Sequence, residues 1–290
     1  MEKIYYNEKE YNVTDRICNL ISTYKDSNEY MDYTTAILDS KNYQEGIISE
    51  QILLAALTDR SCSTLVDKWL DLLTSEIFAT GLISYEIASK LVEMELNTSW
   101  STIDHKYQEG IIGDEYIHYI LHQISLDDEY CTQCTKTINI LITMLTSDSY
   151  QNKQLTDDTI NNFLDIPEEE RSNKIEILEK IFFKDRISTE FINDENLKSI
   201  LETKTPLIDK IIYYTLISRT INSEIKAQYI LSILNIENQE GLTNVYTSYM
   251  EKQKVDSIDT FAKNFVSYTL PLLYEYNLQV SYTKKREKNN

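Results

Sequence analysis

The sequence predicts an all-α protein, either a multi-helix bundle or a short α-solenoid built from duplicated helical units. Three observations carry that expectation. Glycine and proline are scarce, five and three in 290 residues. Sandwiches, barrels and Rossmann sheets use both to turn the chain and to approach phosphates, whereas helices joined by short loops need few. Apolar residues recur at helical intervals along most of the chain. Finally, the hexapeptide YQEGII occurs twice, at residues 43–48 and 107–112. Abundant Tyr and Ile individually favour strands, but their spacing outweighs that preference.

Taken in order, the N-terminus MEKIYYNEKEYN is charged and lacks the apolar segment of a signal peptide. The first YQEGII then runs into a helix start. Its Glu-Gly breaks the preceding element, with Gly46 free to take a positive φ. Ser49 stands at the N-cap and Glu50 in the first turn, where the helix dipole favours an acid. Ile52, Leu53, Ala56 and Leu57 follow as one buried stripe. In the second copy Gly110, Gly113, Asp114 and Leu121 take the corresponding places. A weaker third copy is read at residues 190–205, with Asn193, Asp194 and Leu201.

Helical spacing also predicts helices over residues 62–75, 85–96 and 135–145. Pro167, followed by Glu168, Glu169 and Glu170, reads as a helix start leading into residues 175–183. Pro206 opens residues 207–217, residues 224–234 follow, and residues 258–276 are interrupted by Pro271. Typical helix and loop lengths give about 12–16 helices. The polar stretch 146–165 marks the expected boundary. An N-terminal helical domain, 1–150, holds two repeat units, and a C-terminal helical domain, 151–290, holds the further one.

The segment IISEQILLAALTDRSCSTLVDKWL locally resembles two families. Ile47, Ser49, Glu50 and residues 53–57 are similar to a half-repeat of the substrate-receiving N-terminal domain of Clp ATPases, an all-helical domain. Glu50, Leu57, Arg60 and Ser61 resemble an annexin repeat, but EGIIS and EGIIG stand where that family's glycine-rich calcium loop would be. Calcium-dependent membrane binding is not implied without that loop. One segment fitting two unrelated families marks a generic amphipathic helix.

Formal net charge is −19, from 47 acidic and 28 basic residues. Such a chain repels nucleic-acid phosphates and anionic membranes and suits a basic protein partner. No run of about 18 apolar residues exists to span a bilayer. Four cysteines are too few for a disulfide scaffold, which points to reduced thiols and a cytoplasmic location.

Among motifs, His118, His122, Cys131 and Cys134 have ligand-like spacing, H-x3-H followed by C-x2-C, and could hold a zinc ion with two nitrogens and two sulfurs. His118 also aligns with Leu54, a core position, so a buried structural histidine is the competing expectation. No nucleophile elbow, phosphate loop or EF-hand is present, which points away from an enzyme. Among twenty-two tyrosines, clusters such as Tyr5/Tyr6, Tyr213/Tyr214, Tyr246/Tyr249 and Tyr274/Tyr276 are candidate contact surfaces. The resulting expectation is a non-enzymatic, acidic, tyrosine-rich protein–protein interaction module. It would act as an adaptor, a scaffold or an immunity-like inhibitor of a basic partner. The alternatives are a zinc-stabilised helical protein and an enzyme whose site is assembled without a recognisable motif.

Overall fold

The computed structural model describes residues 2–58, 63–126, 132–184, 187, 191–203, 205–236, 239–253 and 257–288. The described chain is all-α apart from one hairpin. It divides into two compact units, Met1–Thr146 and Ser147–Asn290.

The first unit opens with strands β1 (Glu2–Tyr6) and β2 (Lys9–Val13), paired antiparallel with Tyr6 opposite Lys9. Asn7 and Glu8 form the two-residue loop at φ 47° and 64°, the double positive φ of a type I′ turn. The helical expectation did not include this hairpin. Asn7 is a turn residue, but Glu8 stands where the turn prefers glycine, so the signal was half missing.

Ten helices follow: α1 (Asp15–Tyr24), α2 (Asn28–Asp39), the single turn α3 (Lys41–Gln44), α4 (Glu50–Thr58), α5 (Ser63–Leu73), the single turn α6 (Glu76–Ala79), α7 (Tyr85–Glu93), α8 (Trp100–Gln108), α9 (Asp114–Leu126) and α10 (Thr132–Thr146). They sort into two rows. Helices α1, α4, α7 and α9 touch in succession, and so do α2, α5, α8 and α10. The rows pack through α1 with α2, α4 with α5, α5 with α7, and α9 with α10. Leu53, Leu57, Leu73, Ala88, Ile103 and Leu141 are among the fully buried side chains between them. The hairpin is tied to α2, where Tyr6 donates to Asp32 (2.8 Å), Tyr11 donates to Asp39 (3.1 Å) and Lys9 pairs with Asp39.

Each YQEGII is the turn from one row to the next helix of the other. Gly46, at φ 76°, donates to Tyr43 O, and Ile47 and Ile48 both donate to Asn42 O. Gly110, at φ 70°, repeats this with Tyr107 O and Lys106 O. These are Schellman closures, in which a left-handed residue lets the chain satisfy the last helical carbonyls. The same pattern recurs at Lys153 (φ 58°), which donates to Tyr150 O while Gln154 and Leu155 donate to Ser149 O. Gly81 (φ 74°) donates to Phe78 O in a partial version between α6 and α7. Residues 190–205 place Asn193 as the N-cap, with its side chain accepting from Asn196 N at 3.0 Å. No positive-φ turn precedes that cap among the described residues, and residues 190 and 204 lie outside them.

The second unit contains the single turn α11 (Asp148–Gln151), α12 (Asp157–Leu164), α13 (Glu168–Glu179), α14 (Asp194–Leu201), α15 (Pro206–Ile217), α16 (Ser223–Leu234), α17 (Gln239–Gln253), α18 (Ile258–Asn264) and α19 (Leu270–Lys288). Pro167 and Pro206 open α13 and α15 as expected. Helix α15 is the hub, packed against α13, α16 and α18. Its sequence PLIDKIIYYTLI buries Leu207, Ile208, Ile211, Ile212 and Leu216, too many for one narrow stripe. Pro271 does not end its helix. A π-helical turn over Phe265–Thr269 precedes it, and the wider turn accommodates a ring that would otherwise crowd the preceding carbonyls. No helix among the described residues is long and apolar enough to cross a membrane.

Candidate interaction surface

Among the described residues, several lysines and one arginine turn inward to helix ends. Lys68 Nζ donates to Val92 O (3.1 Å) and Met94 O (2.7 Å) at the C-terminal end of α7. Lys90 Nζ reaches Ile124 O in the last turn of α9 at 3.1 Å. In the second unit Arg171 donates to Leu164 O and Ile166 O after α12, at 3.2 and 2.8 Å. Lys174 donates to Ile200 O at the end of α14 (2.8 Å), and Lys226 to Leu216 O at the end of α15. Five helix C-termini thus receive a cation from another segment, which satisfies orphan carbonyls and opposes the negative dipole end.

Carboxylates stay outside. Among acidic residues whose side chains are described, all but Asp71, Asp104, Glu179, Asp194, Asp209 and Asp259 are exposed. More of the described lysines and arginines are half-buried or buried than exposed. Among the described side chains, the exposed charge is therefore more one-sided than the composition alone states.

The inward acids have structural partners. Asp209 accepts from Lys174 Nζ and from Thr203 Oγ1, each at 2.7 Å, locking α13, α14 and α15 together. Burial pushes the Asp209 carboxyl above its ordinary range, against the pull of the Lys174 ammonium and the Thr203 hydroxyl. Asp194 accepts from Thr156 N (2.8 Å), Thr156 Oγ1 (2.6 Å) and Thr159 Oγ1 (2.6 Å). Burial pushes its carboxyl up, but those hydrogen bonds and Lys198 outweigh it and hold the group below the ordinary range. Asp104 accepts from Ile77 N at 2.9 Å.

Tyrosines hold several further acids. Tyr107 donates to Asp114 (2.9 Å), Tyr150 to Asp157 (2.7 Å) and Tyr214 to Asp259 (2.9 Å). Burial first, and Asp259 next, push the Tyr214 hydroxyl up to about 12. Of the expected tyrosine pairs, Tyr213 and Tyr214 stack edge-on at 5.5 Å, beneath Lys210 and Lys263 respectively. Tyr246 packs on Phe261 and Tyr274 on Tyr229, while the side chain of Tyr249 lies outside those described. Tyr5 and Tyr276 remain exposed, at 70% and 63%.

The histidine–cysteine set is only partly visible. His118 and His122 both lie on the exposed face of α9, so His118 is not the buried histidine that its alignment with Leu54 suggested. Leu54 is itself only half-buried, so the aligned position is not a core position in the first copy. Cys134 is half-buried in α10, and Cys131 lies outside the described residues. Among the described residues no group of three or more His, Cys, Asp or Glu is arranged to hold a metal ion.

A cavity of about 320 Å³ opens in the first unit among α5, the end of α7 and the start of α8. Its apolar wall is Leu72, Leu91, Val92, Met94, Leu96 and Trp100. Asp67, Asp71, Lys68, Thr98 and Ser99 supply the polar part. Sequence reading missed this site because its residues come from three segments with no shared motif. No protein-family model, curated protein or solved structure matches the chain.

Proposed function

We propose that the protein is a non-enzymatic interaction module that presents an acidic surface to a basic protein partner, as an adaptor, scaffold or inhibitor. One observation supports this reading above others: the sorting of charge, with cations consumed at helix C-termini and carboxylates left in solvent. A field of that sign concentrates basic partners and repels nucleic acid and anionic membranes. A cytoplasmic setting, suggested by the scarcity of cysteine, belongs to the same reading. The test is association with partners captured from native lysate, measured at increasing salt. Partners of high isoelectric point, with affinity falling steeply as salt rises, are expected. Acidic or neutral partners, or affinity that ignores salt, would sink the electrostatic mechanism.

A further inference from the structure

The cavity beside α5 combines features that specify the partner's chemistry. Asp67 and Asp71 stand four residues apart on α5, so their carboxylates share one helix face and repel one another. No described cation pairs with either, because Lys68, on the same wall, has its ammonium on the carbonyls of Val92 and Met94. Beside the two acids runs an apolar wall of Leu91, Met94, Leu96 and Trp100. Trp100 is fixed in place, its indole N–H donating to Ser75 Oγ at 3.2 Å.

We propose that this cavity binds an arginine side chain presented by an apolar-flanked basic segment of the partner. The proposal rests on the acidic-module reading and gives it a location. An arginine has an aliphatic stem that packs along an apolar wall and a charged head that stays polar. Its planar guanidinium forks onto carboxylates and stacks on indole faces, which a compact ammonium does less well. A volume of about 320 Å³ sits at the small end of ligand pockets, room for one long side chain with its neighbours and not for a dinucleotide.

The probe is an acetylated, amidated Leu-Arg-Leu peptide, with the isosteric but uncharged Leu-citrulline-Leu as control. Trp69 and Trp100 are the two tryptophans, so Trp69→Phe leaves Trp100 emission as a local reporter. Should that variant not fold, methyl NMR of Leu91 and Leu96 in the unaltered chain gives the same readout. Saturable binding of the arginine peptide is expected, weakened about tenfold or more by Asp67→Asn with Asp71→Asn. Asp165→Asn with Glu176→Gln, two exposed acids of the other unit, should leave that affinity unchanged. Citrulline binding equal to arginine, or an unchanged Asp67/Asp71 double variant, overturns the proposal. Equal loss from the two double variants also overturns it, by assigning the peptide to diffuse charge. If the tripeptide fails to bind while basic proteins still bind with salt dependence, the cavity assignment alone falls. If both fail, the acidic-module reading falls with it.

Discussion

Lys174 illustrates what a single residue contributes here. Fully buried, it donates to Ile200 O, Thr203 O, Thr203 Oγ1 and Asp209 Oδ1. Four acceptors around one ammonium offset the desolvation that a buried charge otherwise suffers. Removing it strands the Asp209 carboxyl in the interior. Lys174→Met is therefore expected to destabilise the protein by about 3–5 kcal/mol, with Lys174→Met plus Asp209→Leu less damaging than the single change. Denaturant unfolding of both variants decides it, and a double variant worse than the single one contradicts the stranded-charge account. The sequence announced none of this. A lysine in the polar-looking run RSNKIEILEK reads as surface, and its acceptors lie 26 to 35 residues downstream.

At the scale of elements, the turns carry the lesson. YQEGII was legible because two copies kept every residue. Two other turns share geometry without the sequence, in part at Phe78 and Gly81 and more fully at Tyr150 and Lys153. A lysine at φ 58° conceals the motif, since the left-handed position normally advertises itself as glycine. It also carries strain, because a side chain in that region costs about 1–2 kcal/mol that glycine avoids. Lys153→Gly should then raise stability by about 1 kcal/mol, and Gly46→Ala should lower it by a similar amount although no atom lies near its missing Cβ. Thermal unfolding of the two variants gives opposite signs if the strain argument holds; equal signs refute it. Helix starts were the other readable feature. Ser49, Asn193, Pro167 and Pro206 all open helices, because caps act through adjacent backbone. Row packing, the cavity and the exposed face of His118 were not readable, being set by segments distant in sequence.

For the whole molecule, the balance of −19 has a consequence for stability as well as for partners. Exposed like charges repel most in the compact state, and mobile ions screen them over roughly 10 Å at 0.1 M salt. Melting temperature should rise as sodium chloride is added from low ionic strength, followed by circular dichroism. A flat or falling trend would mean that the Tyr–Asp pairs and capped helix ends already absorb the repulsion.

The first unit also holds a run of buried polar clips. Asn42 Nδ2 donates to Leu73 O and Ser75 O at 2.8 Å, Trp100 reaches Ser75 Oγ, and Asp104 receives Ile77 N. The α3, α5–α6 and α8 segments are thereby clipped to one another through buried polar groups. Such a network fixes one register, because a slip between the segments would leave a donor or acceptor unpaired in the interior. Apolar contacts carry no comparable direction. The three segments are therefore keyed to one another as well as packed.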